Sequence, residues 1–160
     1  MSTPVVTVIV PGRDVAAYAH EAVDSLRAQT LTSWRAILVD DGSLDATGEV
    51  FATAAASDER FHVVTHPVAR GLSAARNTGL ELVETPFVGF LDADDVLTPR
   101  ALERFVDTLT RSGSDVVVGA YVRLRADEAG TYRPGPVQPW FAPPPIRRGS
   151  RRRWPRIPRC

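Results

Sequence analysis

Four short apolar runs divide the first 110 residues of the chain, each ending on polar or turn residues and each followed by apolar positions at helical spacing. Val5–Val10 is β-branched throughout and stops at Pro11-Gly12, which predicts a buried strand and a loop. Ala17–Gln29 then sets Ala22, Val23 and Leu26 on one helical face. A second strand, Trp34–Val39, runs into Asp40-Asp41-Gly42-Ser43, and a helix is expected from about Asp45 to Ala55. Phe61–Thr65 reads as a third strand. Leu72–Val83 reads as a helix with Leu72, Ala75, Gly79 and Leu82 on one side. Glycine at position 79 costs about 1 kcal/mol relative to alanine, which predicts close packing of this helix on the sheet.

Pro86 breaks the chain before Phe87–Leu91, and Thr98-Pro99 predicts a helix start with Thr98 as N-cap. The helix Pro99–Thr110 is expected to bury Leu102, Phe105, Val106 and Leu109, and Val116–Leu124 to add a fifth strand. Continuous apolar strands alternating with helices predict an α/β/α sandwich around a mainly parallel sheet. In such sheets, ligands sit beyond the carboxyl ends of the strands, where the strand order reverses. Three strand ends carry polar clusters, Gly12-Arg13-Asp14, Asp40-Asp41-Gly42-Ser43 and Asp92-Ala93-Asp94-Asp95, and these are expected to converge.

The last cluster is the most informative. Neighbouring carboxylates repel, and partial burial removes the water that screens them. A cation would relieve both costs. Oxygen ligands without His or Cys suit Mg²⁺ or Mn²⁺, and such an ion held by one or two carboxylates completes its shell with substrate phosphates. The alternative for the octet Val88–Asp95 alone is an acidic strand-to-helix turn.

Charge divides the chain in two. Net charge is zero, yet all 19 acidic residues lie at or before Glu128, and seven of the 19 basic ones follow Pro136. The body is therefore −7 and the tail +7. Every basic residue is Arg, which chemistry does not demand and a GC-rich coding bias would give. Eight of the 13 prolines fall from Pro134 onward, so residues 133–160 are expected to be a disordered Pro/Arg-rich tail after a folded domain at 1–132. Such a tail suits weak peripheral contact with an anionic membrane, whereas specific nucleic-acid binding is not expected, because little aromatic interleaving accompanies the arginines. It also reads as sequence never selected to fold, as a frameshift or premature end would give. The single Cys160 excludes an internal disulfide, and no Cys/His cluster suggests zinc. With no signal-peptide pattern at the N-terminus, the expected location is cytoplasmic, at most at the cytoplasmic membrane face.

Five motifs in order resemble family 2 glycosyltransferases of the GT-A fold: Val8-Ile9-Val10-Pro11, Ser25–Thr30, Val39–Thr47, Gly71–Gly79 and Phe90–Asp95. The resemblance covers Val5 to about Leu124. It implies a nucleotide-diphospho-sugar donor, a divalent metal (Mg²⁺ or Mn²⁺) and inverting transfer to an unidentified hydroxyl acceptor, in synthesis of a cell-envelope polysaccharide or related surface polymer.

Carried over residue by residue, Asp92 and Asp94 match the DxD, with Asp94 the leading metal ligand and Asp92 on the donor ribose or metal waters. Asp40 and Asp41 match the acidic pair that contacts the nucleobase. A carboxylate suits that role because it accepts from a base N–H. Arg76 matches the Ala-Arg-Asn arginine, which either approaches the phosphates or pairs with the acidic cluster. Pro11, Arg13 and Ala93 complete the implied donor-binding set.

Two features depart from the family. Pro11-Gly12-Arg13-Asp14 stands where Pro-x-Tyr-Asn is usual, so Arg13 would replace a stacking Tyr through its planar guanidinium. The family's general base lies well beyond the DxD, and no acidic residue follows Glu128. The resemblance thus implies the donor-binding half, with no catalytic base identified. The competing classes are a non-catalytic nucleotide-sugar-binding fragment and a nucleotidyltransferase, whose Gly-rich phosphate loop Gly12-Arg13-Asp14 matches poorly. Trp34, His62 and His66 are expected at edge or core positions and carry no assigned role.

Overall fold

The computed structural model describes residues 3–126 and 132–137. The chain divides into two units, Met1–Val117 and Val118–Cys160. The first is built on four strands, β1 (Val6–Gly12), β2 (Trp34–Asp40), β3 (Phe61–Thr65) and β4 (Phe87–Phe90), in the order β3-β2-β1-β4. Every pairing is parallel, with Val6 opposite both Trp34 and Phe87 and Ala36 opposite Phe61.

Parallel strands need helical crossovers, and these cover both faces. On one face Val6, Val8 and Val10 of β1 and Trp34, Ala36 and Leu38 of β2 pack with α1 (Ala16–Arg27) and α2 (Thr47–Ser57). Those helices contribute Ala19, Ala22, Val23 and Leu26, and Val50, Phe51 and Ala54. On the opposite face Ile37 and Val39 pack with Ala75 of α3 (Leu72–Leu80). Full burial of one large aliphatic or aromatic side chain is worth about 1.5–3 kcal/mol, so the first face carries most of the apolar stabilisation.

Three sequence expectations are corrected in this unit. Strand β1 continues through Pro11 and Gly12 instead of stopping before them. Ile9 O accepts from Leu91 N on the β4 side and Gly12 O from Asp41 N on the β2 side. Backbone groups alternate sides along a strand, so Pro11 faces the β4 side beyond the last pair, Ile9 with Phe90, where no N–H is needed.

Helix α3 ends at Leu80, short of the predicted Val83; Ala75 and Gly79 are buried in it, but Leu72 is exposed, as is Leu82 beyond its end. Gly79 does serve close packing, since a Cβ there would lie 2.5 Å from Ile9 Cγ2.

Helix α4 (Ala101–Ser112) begins two residues later than Thr98-Pro99 predicts, and the N-cap residue Arg100 caps no backbone N–H of its first turn. The cap arrives from elsewhere: Gln29 Oε1 accepts from Leu102 N at 3.0 Å, and Gln29 Nε2 donates to Thr98 O at 2.9 Å. Of its predicted core positions Leu102 is buried, while Phe105, Val106 and Leu109 are half-buried.

The second unit corrects the fifth strand and the start of the tail. Strand β5 (Val122–Ala126) pairs antiparallel with β6 (Tyr132–Val137) in a separate two-stranded sheet. Residues 116–121 form no strand. Val116 and Val118 stand 74% and 68% exposed, so their β propensity has no packed surface to act on. The first five residues of the predicted tail, 133–137, lie in β6, which accommodates Pro134 and Pro136 because each strand of a two-stranded sheet has a free edge. Residues 138–160, with the arginine run and its disorder and membrane readings, lie outside the described residues.

Candidate functional site

The strand order reverses at β1: the chain moves outward through β2 and β3, then crosses back to place β4 on β1's other side. At the carboxyl ends of β1, β2 and β4 a cleft of about 390 Å³ opens. Pro11, Gly12 and Arg13 line it after β1, Asp41 after β2, and Asp92, Ala93 and Asp94 after β4. Gly71, Leu72 and Ala75 add the N-terminal turn of α3, whose helix dipole favours anions. Of the sequence-predicted site residues, the cleft thus gathers Pro11, Arg13, Asp41, Asp92, Ala93 and Asp94, and leaves Asp40 and Arg76 off its wall.

Asp41 is 3% exposed. Its Oδ1 accepts from His66 Nδ1 at 2.7 Å and from Arg70 N at 2.8 Å, and its Oδ2 accepts from Gly71 N at 2.7 Å. Burial pushes this carboxyl up, and the hydrogen bonds from His66, Arg70 and Gly71 more than reverse that, leaving it below the ordinary carboxylate value. Asp41 is therefore ionised and an acceptor only.

The β4 end differs. Arg76 Nη2 donates to Asp92 Oδ1 at 2.7 Å, an ion pair between α3 and the acidic cluster. Its Nε is buried with no partner among the described residues. Burial, with the charges of Asp94 and Asp92, raises the Asp95 carboxyl above its ordinary value, which is the repulsion expected of this cluster.

The family model described as Glycosyl transferase family 2 matches residues 7–160. The chain belongs to this family. It is 35% identical over 131 residues to the uncharacterized glycosyltransferase EpsJ of Bacillus subtilis (strain 168), covering 82% of this chain and 38% of EpsJ. It is 29% identical over 121 residues to WfgD of Escherichia coli, a UDP-Glc:alpha-D-GlcNAc-diphosphoundecaprenol beta-1,3-glucosyltransferase, covering 76% of this chain and 47% of that one.

Among solved structures it superposes on the mannosyltransferase PcManGT from Pyrobaculum calidifontis, in complex with GDP-Man and Mn²⁺. The TM-score is 0.62 at 29% identity, over 75% of this chain and 35% of that one. The chain thus spans less than half the length of these relatives. The parallel sheet with helices on both faces is the GT-A architecture.

Several family 2 motifs serve to hold this frame. Asp40 Oδ1 accepts from Ser43 N at 3.0 Å, and its Oδ2 lies against Gly48, where a Cβ would stand 2.8 Å away. Asp45 Oδ2 accepts from Ala16 N at 3.0 Å, and Thr47 Oγ1 accepts from Val15 N at 2.9 Å. The Asp40–Thr47 loop thereby caps the start of α1 from a neighbouring loop. Gly42, at φ +66°, comes so near the loop before α3 that a Cβ would meet Ala69 N at 2.6 Å. Arg13 is exposed at the cleft wall, 3.5 Å from the Asp14 carboxylate.

The sequence context of His66 assigns it no role, and it is the residue on which Asp41 rests. The signal available was its position immediately after β3, the strand paired beside β2 with Asp40 opposite Thr65. Trp34, by contrast, is a core residue with Arg60 stacked 4.0 Å above its ring, and His62 is exposed. Among the described residues, no three His, Cys, Asp or Glu side chains form a cage for a metal. No helix among them is long and apolar enough to cross a membrane.

Proposed function

We propose that this family 2 glycosyltransferase chain binds a nucleotide-diphospho-sugar together with Mg²⁺ or Mn²⁺, for inverting transfer of the sugar to a hydroxyl in cell-envelope polysaccharide synthesis. The observation that carries the reading is that Asp41 and Asp94, 53 residues apart in sequence, line one cleft at the point where the strand order reverses.

The oxygen-only donors Asp94 and Asp92 fit a hard cation, and the absence of a full protein cage among the described residues fits an ion that completes its shell with phosphates. When bound, such a cation supplies charge neutralisation at the diphosphate leaving group, worth several kcal/mol. The chain's own residues would do the rest. Asp41, an ionised acceptor, suits a base that presents a ring N–H, as uracil and guanine do. The first turn of α3 faces the phosphates, and Arg13 flanks the base. The UDP-Glc of WfgD and the GDP-Man bound to PcManGT agree with this preference. The undecaprenol-linked acceptor named for WfgD supports a cell-envelope product.

Calorimetric titration of UDP and GDP with and without Mn²⁺ tests the reading. Binding is expected to require the cation and to be lost in Asp94→Ala. Equal affinity in EDTA would overturn it.

A second reading, donor binding without turnover, has its own support. Among the described residues lining the cleft the acidic side chains are Asp41, Asp92 and Asp94, and all three are assigned to the donor or metal. Hydrolysis or transfer from a bound UDP-sugar by this chain would exclude it.

A further inference from the structure

His66 is a buried titratable group that the donor-binding reading does not use, and both of its ring nitrogens are engaged. Nδ1 lies 2.7 Å from Asp41 Oδ1 and Nε2 lies 2.9 Å from Thr78 Oγ1. Asp41 can only accept, so Nδ1 carries the proton. Thr78, a hydroxyl, can either donate to Nε2 or accept from it. The chain of contacts joins three elements: the residue after β2 through Asp41, the residue after β3 through His66, and the last turn of α3 through Thr78. His66 N also donates to Asp40 O at 2.9 Å, which pins the histidine's backbone to the same strand end.

We infer that His66, braced by Thr78, is a positioning residue that fixes the Asp41 carboxylate for the nucleobase and so sets the preference for a nucleotide over a bare diphosphate.

The inference rests on the donor reading above. Among the described residues Asp41 Oδ2 takes one hydrogen bond, from Gly71 N, which leaves it an acceptor site for a base N–H. Oδ1 is fully committed to His66 and Arg70. Without the imidazole, Oδ1 keeps one backbone donor, and the carboxylate gains freedom to rotate about its Cβ–Cγ bond. Rotation moves the free acceptor site off the base edge but leaves Asp92 and Asp94, the residues that would hold the cation, as they were.

The test compares UDP with inorganic pyrophosphate, each with Mn²⁺, by calorimetry on the full chain. In wild type, UDP is expected to bind more tightly than pyrophosphate. His66→Leu should lose about ten-fold in UDP affinity with pyrophosphate affinity unchanged. His66→Asn, whose amide nitrogen can still donate toward Asp41, should recover part of that loss. Thr78→Val, which keeps His66 but removes its brace, should lose a few-fold on UDP alone; it decides the matter if His66→Leu does not fold.

A folded His66→Leu that keeps the wild-type ratio overturns the inference, as does a fall in both affinities together, which would mean a purely structural role. If Thr78→Val is the deciding variant, an unchanged ratio there overturns it equally. Failure of the donor reading looks different: wild type itself would show no preference for UDP over pyrophosphate.

Discussion

The Arg76 guanidinium reaches the Asp92 carboxylate at 2.7 Å, tying α3 to the loop after β4. Both side chains are more than one-third exposed, so solvent screens the pair and its contribution to stability is small. Its larger effect is on charge, because it sets one positive group beside a cluster of three carboxylates.

Arg76→Ala should therefore strengthen the binding of Mn²⁺ alone. Removing one like charge near the surface is worth about 1 kcal/mol, or roughly five-fold in affinity. Paramagnetic titration of Mn²⁺ in the absence of nucleotide measures it, and unchanged or weaker binding would contradict the placement of the cation at Asp92 and Asp94.

Gly79→Ala should destabilise the fold by about 1–2 kcal/mol. Overpacking costs about 1–3 kcal/mol and the better helix former returns up to about 1 kcal/mol. The new methyl would overlap Ile9 Cγ2, which has no room to withdraw because Ile9 is fully buried. Urea denaturation gives the value directly.

Gln29→Ala should cost about 2 kcal/mol, the range expected for leaving buried polar groups unpaired. It strands Leu102 N and removes a donor from Thr98 O, at the chain segment that follows the acidic cluster. The melting temperature should fall, whereas the nearby exposed Thr30→Ala should change it little.

Asp41 predicts a pH dependence. Its folded-state carboxyl lies below the ordinary value of 3.8, so its contribution is fully present above that value and is lost as pH falls below it. Asp41→Asn should cost about 1–3 kcal/mol at pH 7, because the amide turns an N–H toward one of the donors that now bond the carboxylate. The gap between wild type and variant should narrow as the pH falls below 3.8. Denaturation curves at pH 7 and pH 3 compare the two, and a gap as large at pH 3 as at pH 7 would show that ionisation is not its source.

Much of the frame was legible from the chain alone because the strands of the parallel sheet are short, mostly apolar runs and α1 and α2 each carry an apolar stripe. Val5–Val10, Trp34–Val39 and Phe61–Thr65 need only that pattern to be recognised. The α4 start was misplaced because local chemistry favoured Thr98 as its cap, while Gln29, 73 residues from Leu102, occupies that role. The strand predicted at Val116 failed for the converse reason: β propensity is expressed only against a packed surface.

The sequence by itself determined that three strand ends carry carboxylates or their neighbours, since composition and order are local properties. It also determined the family, whose motifs are short and contiguous. Only the tertiary structure decided which of those acids face the cleft. Asp40 and Asp41 are adjacent, yet successive side chains at a strand end point to opposite sides, so one stitches a loop and the other enters the site. The partnership of Asp41 with His66 and Thr78 likewise exists only because β2, β3 and α3 meet there, a proximity that no local pattern encodes.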